Sequence, residues 1–292
     1  MDRETRVTVL FWIAVMALGV SLTARRALRF EEAAEADSSI RDPPAPAGSA
    51  WSSEPAKAAP STSGIAGEEP GADRTSPLAA LDGQLRTENE PGRSGYFHFP
   101  ARSLSRPLPL VVALHGQGGD GRDLVAAFRT LSDSFGFAVL APSSRYDRKM
   151  ATYAWEPGSE PNEITPDFRH VQACVEEVLG RSDVAVNRDR VLIAGFSSGG
   201  STAPYVATNT GPYHAFAVLH GGVFPRGLGT RMVRGFLSTG TADPARTPAH
   251  VKGHFEALRA RGFDVVYKEY PGGHQLSNDE LTDLVEWWLH GA

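Results

Sequence analysis

The stretch IAGFSSGGST, residues 193–202, sets Ser197 between Gly195 and Gly199 directly after an apolar run. A serine hydroxyl is a poor nucleophile until a base takes its proton, and the base must be oriented by a carboxylate. Of the nine histidines, His274 lies in the Gly-rich turn of EYPGGHQLS, just beyond the last apolar run. STGTADP puts Asp243 immediately after the preceding run. Ser197, Asp243 and His274 thus follow one another with gaps of 46 and 31 residues, an order suited to attack on a carbonyl carbon. The oxyanion formed by that attack needs backbone donors. VVALHGQGGDG offers one in the loop His115-Gly116-Gln117, and the N–H of Ser198, the residue after the nucleophile, offers the other. His115 is read as shaping this loop through hydrogen bonds rather than acting as a base. Tyr146, Tyr153 and Trp155 lie in a long segment after a strand-like run, and Tyr153 and Trp155 are expected to wall the substrate pocket.

Residues so far apart can meet only if regular elements deliver them. Short apolar runs occupy 96–99, 108–114, 137–141, 190–195, 215–220, 233–240 and 264–270. Amphipathic stretches lie between most of them, at 121–135, 164–180, 198–209, 246–261 and 277–290. Strands that are apolar along their whole length, interleaved with helices, predict an α/β fold: a mostly parallel central sheet flanked by helices on both faces. Ligands bind outside the carboxyl ends of such strands, which is where Ser197, Asp243, His274 and the His115 loop fall. Gly195 and Gly199 meet a further need, because a sharp strand-to-helix turn has no room for larger side chains.

VVALHGQGGDGRDL, RVLIAGFSSGG, TGTADP and YPGGHQLSNDELTDLVEWWL together resemble the bacterial phospholipase/carboxylesterase family, serine esterases related to acyl-protein thioesterases. The likeness runs over nearly all of residues 95–292, and NRDRVLIAGFSSGG is shared with polyhydroxybutyrate-depolymerase-like and feruloyl-esterase-like hydrolases. It implies the α/β-hydrolase fold, a triad of Ser197, Asp243 and His274, backbone donors at Gln117 and Ser198, and no metal or organic cofactor. Ser198 stands where the closer family usually carries Gln, and ARTP follows Asp243-Pro244 in place of the usual Val-Val-Pro type of turn.

Other readings compete. GQGGDG, residues 116–121, matches the dinucleotide fingerprint G-x-G-x-x-G, but that chemistry needs an acidic residue near the end of the next strand. FGFAVLAPSSR supplies none. His250 and His254 are spaced for one helix face, yet HVKGH lacks the glutamate of a zinc protease and suggests no third ligand. A non-catalytic binding module on the same scaffold is the second rival.

Composition divides the chain. Residues 7–24 carry no charge and are just long enough for a membrane-spanning helix. Residues 1–30 therefore read as a membrane anchor, with a cleaved signal segment as the alternative. Arginines flank the run on both sides, so the positive-inside rule gives no orientation. Residues 31–94 hold eight prolines, twelve acidic against five basic residues, and Trp51 as the sole aromatic, which predicts a disordered tether. Residues 95–292 make up the catalytic domain, expected outside the cytoplasm. The net charge of −5, with no basic cluster in 95–292, argues against nucleic acid as a partner and leaves a small-molecule or lipid ester. Cys174, the one cysteine, cannot form an internal disulfide and reads as a packed core thiol.

Overall fold

The apolar runs assemble into one eight-stranded sheet. Its strands are β1 (Leu81–Leu85), β2 (Gly95–Phe99), β3 (Leu108–Leu114), β4 (Ala138–Pro142), β7 (Val186–Phe196), β8 (Ala215–Leu219), β9 (Arg234–Gly240) and β10 (Val265–Tyr270). The order across the sheet is β1-β2-β4-β3-β7-β8-β9-β10. The six strands from β4 to β10 in this order run parallel, and β2 and β1 continue the β4 edge antiparallel. β5 (Tyr146–Asp147) and β6 (Thr152–Tyr153) form a separate small hairpin. These features come from a computed structural model, which describes residues 78–85, 93–102, 105–147, 152–156, 160, 162–223 and 227–291.

Helices cover both faces because alternate side chains of the central strands point to opposite sides. On one face Val111, Ala113, Leu192 and Ala194 pack with Leu124, Val125 and Phe128 of α1 (Gly121–Phe135) and with Leu281 and Leu284 of α5 (Asn278–Glu286). On the other, Leu110, Val112, Leu114 and Ile193 meet α2 (Pro166–Gly180), α3 (Ser198–Asn209) and α4 (Pro248–Ala260). Cys174 of α2 lies in this second core with its thiol pushed up to about 12 by burial, as fits a packing residue. The last helix continues for Trp287–Gly291 as a π turn, and the indoles of Trp287 and Trp288 close the first core.

The helix starts are written locally. Asp120 caps α1 by accepting the Arg122 N–H at 2.8 Å, while Asp123 accepts the Asp120 N–H at 3.0 Å. Gly136, at φ 71°, ends that helix in the left-handed conformation that glycine takes without strain. Ser277 and Glu280 form the equivalent box on α5.

Two sequence expectations need adjusting. Residues 81–85, assigned to the tether, are strand β1, hydrogen-bonded along β2 with Leu85 buried. LDGQL alternates apolar and polar residues over only five positions at a sheet edge, so it carries little hydrophobic signal. The hairpin β5–β6 was likewise too short to read. The apolar segment 7–24 and the tether up to residue 77 lie outside the described residues. Among the described residues no helix is long and apolar enough to cross a membrane.

Candidate active site

Ser197 sits between β7 and α3 with φ 52° and ψ −115°. A non-glycine residue held there is strained by about 1–3 kcal/mol, and its surroundings enforce the position. The Ser197 N–H donates to Leu219 O at 2.9 Å, and its carbonyl accepts the Ser201 N–H at 2.9 Å. The flanking glycines are obligatory: a Cβ on Gly195 would stand 2.2 Å from the Gly199 carbonyl, and one on Gly199 would stand 2.3 Å from Leu114 O.

Asp243 and His274 arrive on two turns laced together. The Ala242 N–H donates to Gly272 O at 2.8 Å, and the Thr241 N–H donates to Tyr270 O at 2.8 Å. His274 Nδ1 lies 2.8 Å from Asp243 Oδ2 and its Nε2 lies 2.9 Å from Ser197 Oγ. A carboxylate only accepts, so Nδ1 carries the proton and Nε2 is left to take the one from the serine hydroxyl. Asp243 is buried, with Oδ1 accepting the N–H groups of Ala245 and Arg246, each at 2.8 Å. Burial alone would raise its pKa, but the Arg246 N–H and two imidazoles outweigh that and hold it below the usual carboxylate range. It is therefore ionised at neutral pH. The structure brings together the three residues that the sequence singled out.

The loop after β3 lies against this constellation. A Cβ on Gly116 would come within 3.4 Å of Ser197 Cβ and 3.0 Å of the Phe196 ring, so the loop lies tightly against the serine turn. Gln117 is exposed on the turn, followed by Gly118 at φ 82°. Ser198 opens α3, where a first-turn N–H has no acceptor within the helix. His115 is fully buried beneath the loop and is fixed from both sides. Its Nε2 accepts the Ser144 N–H at 2.9 Å and its Nδ1 donates to Gly116 O at 2.6 Å. Burial lowers its pKa, against the pull of the Gly116 carbonyl, so the ring stays neutral.

Trp155 and Tyr153, expected to wall a pocket, are placed differently from each other. Trp155 is buried, and its indole N–H donates to His115 O at 2.8 Å, which makes it a strut of the loop. Tyr153 accepts the Gly118 N–H on its carbonyl at 2.9 Å, while its ring stays accessible beside Tyr146 at 5.3 Å between centroids. An indole is bulky and apolar enough to be drawn inward, and its N–H then needs an acceptor.

Two participants were missed. His220 ends β8 at φ 52°, and its Nδ1 lies 2.7 Å from Asp243 Oδ2, the same oxygen that takes His274. Glu280 reaches the far side of that ring. The signal for His220 was present: AFAVLHGG repeats the strand-then-His-Gly pattern of VVALHGQ. Glu280 was hidden in the plain capping box of SNDE. Among the described residues, His220, Asp243 and His274 form the only group of three side chains spaced to hold a metal ion, and these atoms are already engaged with one another. His250 and His254 stack with ring centroids 4.8 Å apart, and no third ligand joins them among the described residues.

The dinucleotide reading of residues 116–121 meets an obstacle at α1. Asp120 and Asp123 occupy the helix N-terminus where a pyrophosphate would have to sit.

Comparison with known proteins gives the same fold. The model of the family described as Esterase PHB depolymerase matches residues 94–230. A Bacillus subtilis (strain 168) protein, MhqD, whose name assigns it to the hydrolases, is 23% identical over 189 residues, 61% of this chain and 92% of its own. The Bacillus cereus carboxylesterase superposes with a TM-score of 0.52 at 19% identity, covering 69% of this chain and 95% of that one. Esterase PE8 superposes with a TM-score of 0.51, also at 19% identity, covering 72% and 98%.

Proposed function

Because the chain has the α/β-hydrolase fold and its residues 94–230 match an esterase family model, we propose that it is a carboxylic ester hydrolase, a serine esterase that works through an acyl-enzyme on Ser197. His274 Nε2 takes the Ser197 proton as Oγ attacks the ester carbonyl, and the tetrahedral oxyanion is held by the N–H groups of Gln117 and Ser198. The alcohol leaves with the proton from His274. Water, activated by the same ring, then releases the acid and restores Ser197. Asp243 keeps His274 in the required tautomer and balances its positive charge.

What supports this reading above all is the pair of contacts at His274, 2.8 Å to Asp243 and 2.9 Å to Ser197. Turnover of p-nitrophenyl acetate by the full chain tests it, and Ser197→Ala should abolish the reaction while leaving the fold intact. Absence of turnover by the native chain would favour a binding module on the same scaffold. Asp243→Asn is expected to lower kcat by about 10⁴, because the wrong tautomer of His274 then prevails.

The family match favours a polyester as the second substrate class. Comparing an acyl-length series with hydroxyalkanoate oligomers separates the two. We also place the domain outside the cytoplasm, anchored through residues 7–24. Recovery of the full chain in the soluble fraction after gentle lysis, at its full length, would refute the anchor.

A further inference from the structure

His220 and Glu280 have no part in the steps above, yet they are buried beside them. Glu280 is 0% exposed, His220 1% and Asp243 2%. His220 Nδ1 donates to Asp243 Oδ2 at 2.7 Å, next to the His274 contact at 2.8 Å on the same oxygen. The two imidazoles meet edge to face at 5.5 Å, and Phe196 packs against the His220 ring at 5.6 Å. Glu280 Oε2 stands 3.4 Å from His220 Nε2, a distance of charge pairing without a formed hydrogen bond. Glu280 is held in turn by the Ser238 hydroxyl on Oε1 at 2.5 Å and by the Ser277 N–H on Oε2 at 3.3 Å. A capping glutamate needs no burial to do its work, and an unpaired carboxylate is costly in such a place.

We propose that His220, backed by Glu280, is a positioning residue of the proton relay: it holds the Asp243 carboxylate for His274 and sets the charge against which His274 gains and loses its proton. A carboxylate gripped by two N–H donors and two backbone N–H groups has no freedom to turn away. Burial would disfavour a charged His220, but Glu280 and Asp243 outweigh it and hold its pKa above the ordinary value. The other titratable or charged groups nearby are His274 itself and, bordering Gly222, Arg246 and His254. A positive charge at His220 opposes a second one on His274. It thereby favours return of the proton to the leaving alcohol.

The inference rests on the Ser197, His274 and Asp243 reading, so Ser197→Ala is run beside it. The test is the pH profile of kcat and kcat/KM for the full chain and for His220→Asn and His220→Leu. Asparagine keeps one N–H toward Asp243 and tolerates the positive φ of this position. His220→Leu should lower kcat about 10- to 100-fold with little change in KM, and His220→Asn should recover most of it. In the Asn variant the acid limb should move upward by about half a pH unit or more, since the opposing charge is gone. A purely structural His220 would lower thermal stability and leave that limb in place. An unmoved limb together with retained kcat in folded variants would overturn the proposal. So would a neutral His220 ring at pH 7 in ¹⁵N spectra of the native chain, a measurement that does not need the variants to fold. Activity surviving in Ser197→Ala would instead sink the underlying assignment of the nucleophile.

Discussion

At single residues, the geometry separates the candidate triad from the side chains that hold its surroundings still. Trp155 belongs to the second kind, since its indole N–H is the donor to the buried His115 carbonyl. Trp155→Phe keeps an aromatic ring but leaves that carbonyl without its partner, which should cost about 1–3 kcal/mol in urea unfolding. We expect kcat to fall with it while KM moves little, because the loosened loop carries Gln117, the proposed oxyanion donor. The candidate triad was legible because each member needs a special setting: a glycine-flanked serine, a histidine in a Gly-rich turn, an aspartate at a strand end. The bond from Trp155 to His115 and the place of His220 were not legible for a common reason. Burial and hydrogen bonding between distant segments leave no local mark on composition.

Among elements, the strand-to-helix turn at Ser197 is the tightest point. Gly199→Ala would push a Cβ to 2.3 Å from Leu114 O on the neighbouring strand. Backbone atoms there cannot yield, so the variant should lose about 3 kcal/mol and most of its activity. Activity at the native level would show that the turn is looser than its packing implies. The helices 121–135 and 198–209 and the central strands followed directly from periodicity, since their hydrophobic pattern and their burial coincide. β1 did not, because an edge strand keeps one side polar and draws its stability from pairing with β2. The π turn at Trp287–Gly291 also escaped, as its indoles suit a regular helix equally well.

Across the described domain, buried imidazoles govern the response to acid. His254, half-buried and near His250 and Arg246, is pushed down to about 4, mainly by partial burial, and His115 is lowered by burial. In the unfolded chain both would titrate near the ordinary imidazole value of 6.5, so below it the unfolded state binds protons first. Their contribution is present above about pH 6.5 and is lost as pH falls toward 4. His220, raised by its two carboxylates, runs the other way: its contribution is complete below 6.5 and fades as pH climbs through its folded value. Tm should therefore drop between pH 6.5 and 4.5, and His254→Gln should make that decline shallower; a parallel decline in the variant would remove His254 as a cause.

Ser197, Asp243 and His274 hang from β7, β9 and β10, and the loop carrying Gln117 hangs from β3. No single element carries the whole candidate site, and every joint in it spans long stretches of sequence. In a renaturation experiment, catalysis would then be the last property to come back: far-ultraviolet ellipticity and tryptophan emission should recover first, with turnover trailing until the final strand has docked.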